Sequence, residues 1–295
     1  MTSIEALAIR PHDESFTPER SPFVWLAERE ILRFLNIWRY AVLGPVLSAV
    51  LFVVVFGSAL GRHVDPIAGV TYGQFILGGL LAQAILSVGF FNGTTSLYEA
   101  RHDKYIHDVF ASPLRWCEIN AALVTGGMVR GIIVGAGFMA IAAPLAHIGG
   151  VVRPFVFGFG TLGVLVVAAQ IGVIAGSLAK SLDQVYSMES IIVLPLGVLG
   201  GVFYSIQQLA PPWGVATALN PVFWLVQVER IGLLGHGDVS AASALIAVWV
   251  LALALSIWSA VIFGSGRLNQ SCANSIAHGL AATLAWTCLR SAADR

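Results

Sequence analysis

Long uninterrupted apolar runs decide what this chain can become. One extends from about Phe75 to Leu97 and another from Ile119 to Leu145, and each is long enough for the roughly 20 helical residues that cross a hydrocarbon core. Between them lies YEARHDKYIHDVFASPLRWCE, Tyr98 to Glu118, which carries Glu99, Arg101, Asp103, Lys104, Asp108, Arg115 and Glu118. So many charges belong in water, between two membrane spans. Tyr98 to Phe110 has no strand alternation and no internal Gly or Pro, which predicts a short helix ending before Ser112-Pro113. Such a helix is either a handle for a soluble partner or a solvated connector, and composition alone favours the connector.

The remainder of the chain agrees with a membrane protein. Hydrophobic residues make up 57%, charged residues only 11%, and mean hydropathy is +0.81, whereas a soluble domain has about 25% charged residues. The formal net charge of zero and the lack of a basic stripe argue against a nucleic-acid partner. Cys117, Cys272 and Cys288 lack metal spacing and suggest no disulfide framework. The first 22 residues have no apolar stretch of signal-peptide type, so the first span is expected to do the targeting.

Taken in order, residues 1–22 read as a disordered cytosolic tail, 23–267 as the transmembrane domain and 268–295 as a small-residue tail. Ser21-Pro22 suits a helix start. From Phe23 to Trp38, the residues Phe23, Leu26, Ala27, Ile31, Phe34, Leu35 and Trp38 form one arc, with Arg29, Arg33 and Asn36 opposite. That pattern fits an amphipathic helix on a membrane surface. Glu30 falls inside the apolar arc, as a buried contact or a tolerated blemish, with the contact favoured.

Six spans follow: about Tyr40–Leu60, Thr71–Leu97, Ile119–Leu145, Phe155–Leu178, Ser187–Phe203, and one from the Asp238/Ser240 cap to Phe263. Between spans five and six, Tyr204 to Gly237 breaks into two short helices around Pro211-Pro212-Trp213 and Asn220-Pro221, each too short to cross. They read as a re-entrant or interfacial hairpin. The fold expected is therefore all-α and integral to the membrane. With both termini cytosolic, every Lys and Arg lies inside except Arg62, Arg153, Arg230 and the intramembrane Arg130, and the positive-inside rule selects that orientation.

No span holds a metal or catalytic constellation. The seven histidines are scattered, and neither a zincin nor a nucleophile-elbow motif occurs. Gly158, Gly160 and Gly163 spell the dinucleotide fingerprint inside a span without a preceding strand, so they read as small-residue helix packing. The chain has no Walker A loop. Arg130 is the expensive residue, since a central arginine costs roughly 2.5–3.5 kcal/mol on insertion scales. It needs a carboxylate, carbonyls or water, or it snorkels; Glu189 is the nearest acidic candidate by topology, at an imperfect depth.

Several of these segments together resemble a known family. They are Glu28-x-Glu30-Ile31 leading to Ile37-Trp38-Arg39, then Asp108-Val-Phe-Ala-Ser-Pro113-Leu, then Gly127-x-x-Arg130-Gly131. The most specific run is Gly200-Gly201-Val202-Phe203-Tyr204-Ser205, followed by Leu209-x-Pro211-Pro212-Trp213, Leu219-Asn220-Pro221 and Arg230-x-Gly232-Leu-Leu-Gly235. In order, from about Glu28 to Asp238, the chain resembles the ABC-2-type transporter permease family, in its YadH/NodJ-like branch. Glu189 and the tail beyond Arg267 fall outside the family pattern.

The resemblance implies a cell inner-membrane export permease that dimerises with a second copy or a paralogue and pairs with ABC ATPase subunits. ATP and Mg would be bound by those subunits, with no cofactor in this chain. It implies a coupling helix carrying Glu99, Arg101, Asp103, Lys104 and Asp108, docked on the ATPase. It implies a connecting helix with Glu30 and Arg33, and an outer hairpin with Pro211, Pro212, Trp213, Asn220, Pro221 and Arg230. The substrate implied is a drug, a lipid or a lipo-oligosaccharide-like molecule. Two other classes stay open on the residues alone: a proton-driven secondary transporter, and an intramembrane enzyme acting on a lipid-linked substrate. The first would want mid-span carboxylates and the second a paired nucleophile and base, and the sequence displays neither.

Overall fold

The structure, a computed structural model, describes residues 21–59, 61, 66, 69–103, 109 and 114–264. Every regular element among them is helical: α1 (Pro22–Leu35), α2 (Trp38–Ala59), α3 (Tyr72–His102), α4 (Trp116–Leu145), α5 (Pro154–Leu178), α6 (Leu182–Met188), a π-turn (Glu189–Val193), α7 (Leu194–Leu199), a 3₁₀ turn (Ile206–Gln208), α8 (Pro211–Leu219), α9 (Pro221–Leu234) and α10 (Ala241–Gly264). Among the described residues, six stretches are long and apolar enough to cross a membrane: Trp38–Gly57, Tyr72–His102, Trp116–Leu145, Pro154–Leu178, Leu182–Leu199 and Ala241–Phe263.

Local chemistry explains where these helices start and stop. Gln74 reaches back to accept from the Thr71 backbone N–H at 3.1 Å, and Glu118 does the same for Arg115 at 2.7 Å. Each therefore satisfies one of the donors that a helix start leaves free. Asn220 Oδ1 accepts from Val222 N–H at 2.9 Å to open α9, and Gly235 closes it at φ 78°, a left-handed position suited to glycine. Ser21 is extended ahead of Pro22, although its hydroxyl makes no capping bond.

At the centre of the bundle is α3. In its most apolar window 72% of residues are buried, against 17% for Leu182–Leu199 and for Ala241–Phe263, so those two helices form the periphery. Glycine permits the close packing around it. A Cβ on Gly93 would sit 2.8 Å from the Val173 backbone nitrogen of α5, so the two helices meet backbone to backbone. The Gly160 and Gly163 pair works likewise: a Cβ would meet Val228 of α9 at 2.5 Å and Val248 of α10 at 2.6 Å. Gly160 and Gly163 thus serve helix contact, whereas a Cβ on Gly158 would meet nothing within 4 Å.

Four expectations need correction. Span two continues past Leu97 to His102, so Tyr98 to His102 form its last turns and no separate helix begins at Tyr98. Span five starts at Leu182 and ends at Leu199, because the segment that looks like a polar turn folds as α6 with Ser181 Oγ accepting from Gln184 N–H at 3.2 Å. Asp238 does not cap the last span; Ser240 does, accepting from Ser243 N–H at 3.1 Å. Along the arc expected from Phe23 to Trp38, Arg33 of α1 is not on the wet side: three residues beyond Glu30 it shares that buried face, while Leu35 at the end of α1 and Trp38 at the start of α2 are exposed. Residues 1–20 of the tail expected at 1–22 and all of the tail expected at 268–295, with Lys104, Asp108 and the rest of the helix expected to reach Phe110 except Val109, lie outside the described residues.

Candidate functional site

Three polar assemblies interrupt the apolar bundle. The first joins α1 to the end of α3. Glu30 is fully buried, 3.4 Å from Arg33 Nε, and accepts hydrogen bonds from Arg29 at 2.8 Å and from the Ser96 hydroxyl at 2.5 Å. Arg33 then donates to Glu99 Oε2 at 3.0 Å and to the Asn92 carbonyl at 3.1 Å. A buried carboxylate must be ion-paired and hydrogen-bonded to be tolerated, and this one is both. Two turns of α3 supply the partners: Asn92, Ser96 and Glu99 recur at helical spacing and face α1.

The same end of α3 uses Arg101 to close α5. Its guanidinium donates to the carbonyls of Ser177 at 3.0 Å and Gly176 at 2.6 Å, and also to that of Ala179. A cation on the last carbonyls of a helix satisfies acceptors that the helix leaves open and suits its dipole. Asp103, by contrast, is exposed at the C-cap of α3.

The second assembly centres on Arg230 of α9. Counted from sequence as an outer loop charge, it is 1% exposed. Its guanidinium lies 3.7 Å from the Phe75 ring centroid and donates to the carbonyls of Gly201 at 2.8 Å, Val202 at 3.3 Å and Phe75 at 3.3 Å. Arg230 thereby ties three separate segments together. Asp238 stands 3.9 Å away, takes a hydrogen bond from Gln227 Nε2 at 2.8 Å and another from the Ser205 hydroxyl. Asn220, at the start of α9, separately donates to the Leu196 carbonyl at 2.7 Å. Trp213 and Pro212 are exposed beside it on α8, which itself begins at Pro211. Sequence reasoning missed the Gln227–Asp238 pair and the fully buried Glu229, whose Oε2 accepts from Thr161 at 3.0 Å. Their signal was polar spacing inside an apolar helix, at Gln227, Glu229 and Arg230.

The third is a cavity of about 590 Å³ between α2, α3, α4 and the segment from Glu189 to Phe203. Arg130 and Glu189 both line it, with Gln83, Ser87 and Ser48 among otherwise apolar walls. Arg130 is 7% exposed; Nη2 reaches the Ala41 carbonyl at 3.4 Å, and the Phe91 ring centroid lies 5.8 Å from the guanidinium carbon. The Glu189 expectation is thus met in placement without contact: the two share a cavity, and among the described residues they form no ion pair within bonding distance.

The comparisons with known proteins fit this architecture. The profile for "ABC-2 type transporter" matches residues 22–234, from the first residue of α1 to the last of α9. The chain belongs to the ABC-2 type transporter family. The inner membrane transport permease YadH of Escherichia coli strain K12 is 31% identical over 241 residues, covering 81% of this chain and 93% of that protein. Nodulation protein J of Neorhizobium galegae is 23% identical over 225 residues, or 72% of this chain and 82% of its own length. Nodulation protein J of Rhizobium leguminosarum bv. trifolii is 21% identical over 197 residues.

Within this ABC-2 permease, the three assemblies lie inside the matched residues, apart from Asp238 of the second, which falls just beyond them. Of the five residues expected to face a partner, Glu99 and Arg101 turn inward onto α1 and α5, and Asp103 is exposed.

Proposed function

We propose that this chain is the permease subunit of an ATP-driven exporter, working as a dimer with separate ABC ATPase subunits. The observation that carries the reading is the family match over residues 22–234, joined to 31% identity with a transport permease along 93% of that relative. Six helices suited to crossing a membrane supply the pathway's walls. The end of α3, bolted to α1 by Glu30 and Arg33 and to α5 by Arg101, is rigid enough to transmit a push from a docked ATPase. The segment after Asp103 is the docking element in this reading, on the cytosolic side, and the α8–α9 hairpin closes the outer side. Closure of the ATPase pair on ATP moves the joined ends of α1, α3 and α5 together, and the cavity beside Arg130 opens outward. The cargo is a drug, a lipid or a lipo-oligosaccharide-like molecule.

The test is reconstitution of the tagged chain with the ABC ATPase that co-purifies from its own membranes. Export into or out of vesicles should require ATP and should stop when the ATPase loses its hydrolytic glutamate. Transport that persists with the dead ATPase and collapses with the proton gradient would overturn the proposal.

A further inference from the structure

Arg130 and Glu189 face one cavity with opposite charges that attract each other across it without meeting as an ion pair. Arg130 Nε meets no hydrogen-bond partner among the described residues, and the bond from Nη2 to Ala41 is long at 3.4 Å. Gln83 Oε1, on the same wall, is buried without a partner, while its Nε2 reaches Ser87 Oγ at 3.5 Å. An arginine buried in apolar surroundings is unfavourable unless an anion and further acceptors surround it. Its backbone placement is fixed by α4, and the π-turn that opens at Glu189 helps fix the carboxylate's position across the void. Pro195 lies just beyond that turn, and Leu194 N–H bonds to the Glu189 carbonyl in the wider π spacing.

The remainder of the wall is apolar, with Phe52 and Phe91 as its largest faces. A volume near 590 Å³ lies within the roughly 300–1,000 Å³ of sites that take small molecules. Each simple ligand class leaves something unmet. A purely anionic amphiphile answers Arg130 and faces the Glu189 carboxylate; a purely cationic one does the reverse. A neutral amphiphile leaves the two charges with only their attraction for each other, and a soluble zwitterion leaves the aromatic wall uncovered. Only a molecule with both charges and a hydrocarbon portion satisfies every group.

We infer that this cavity binds a zwitterionic amphiphile, with its phosphate or carboxylate on Arg130, its protonated amine toward Glu189, and its hydrocarbon along Phe52 and Phe91. The inference rests on the exporter reading for the role of that molecule as cargo, whereas binding is a property of the permease alone.

Binding is measured on the full-length chain purified in a neutral maltoside detergent, by native mass spectrometry, with single-chain amphiphiles of equal chain length. The probes are a lysophosphatidylethanolamine, a lysophosphatidylglycerol, an alkyltrimethylammonium and a monoacylglycerol, with chain-free phosphoethanolamine as a fifth. The zwitterion should bind about tenfold more tightly than each of the other chain-bearing probes, a difference of about 1.4 kcal/mol. Phosphoethanolamine should not register. Arg130→Gln should abolish the preference over the alkylammonium and Arg130→Lys should keep part of it, while Glu189→Gln should abolish the preference over the anionic probe. Equal affinity of the unmodified chain for all four chain-bearing probes overturns the inference, with no need for any variant to fold. Phosphoethanolamine binding as well as the amphiphile also overturns it, by removing the apolar wall from recognition. Loss of head-group selectivity with ATP-driven export intact refutes this site only; selectivity without ATP dependence refutes the exporter reading only.

Discussion

Arg33 of α1 and Glu99 of α3 meet at 3.0 Å, and Arg33 also stands 3.4 Å from the buried Glu30, so one guanidinium holds two carboxylates from two helices. The two acids are unequal, because Glu30 is fully buried and Glu99 is 43% exposed. Removing Arg33 leaves the buried acid with only the half-exposed Arg29 and the Ser96 hydroxyl. Arg33→Gln is expected to destabilise the protein by about 3 kcal/mol, the low end for breaking a buried pair, and Glu99→Gln by at most about 1 kcal/mol. Thermal unfolding in detergent checks the order; an equal fall for both variants contradicts it.

Arg230→Met should be among the most damaging single changes in the chain. It removes donors from three buried carbonyls and leaves the Asp238 carboxylate without its cation, for a loss of about 3–5 kcal/mol. Arg230→Lys should recover little, since an ammonium does not reproduce a planar fork that spans three segments. The yield of folded protein after solubilisation reports both, and full yield from the lysine variant counts against the clamp.

The α3–α5 contact is tested at glycine. Gly93→Val places a side chain against the Val173 backbone, which cannot rotate away, and overpacking of this kind costs about 1–3 kcal/mol. Gly149→Ala, where a Cβ meets nothing within 4 Å, is the matched control and should be near neutral. Were Gly93→Val as stable as Gly149→Ala, the two helices would not lie as close as described.

Much of this was legible in the sequence because membrane helices advertise themselves by length and hydropathy. The ends of α4 and α5 and the start of α9 fall within about three residues of expectation, since Pro154 and Pro221 are unambiguous punctuation. Glu30 was visible as the one acid inside an apolar arc. The errors fall where tertiary contact outweighs local pattern. Arg33 reads as a surface charge until Glu99, 66 residues away, is brought beside it. Arg230 reads as an outer loop residue until Phe75, 155 residues away, covers it. The extension of α3 to His102 is hidden in the sequence because charge ordinarily ends a span, whereas Glu99 pairs with Arg33 of α1 and Arg101 bonds the carbonyls that end α5, which lets the helix run on.

Orientation gives a fourth prediction. In a background without Cys117, Cys272 and Cys288, a cysteine at His236 should react with a membrane-impermeant maleimide added to whole cells. One at Asp103 should react only after the membrane is opened. Reaction at position 103 in intact cells would reverse the topology and move the docking element to the other face.

The wide turn from Glu189 to Val193 bears on how this span should be mapped. One extra residue in that turn sets everything after it back by about 100° around the axis relative to an unbroken α-helix. A single helical wheel drawn from Leu182 to Leu199 therefore assigns the wrong faces to its second half. Scanning mutagenesis of this segment needs two wheels, one ending at Met188 and one starting at Leu194, or positions beside Gln83 will be mistaken for positions in lipid.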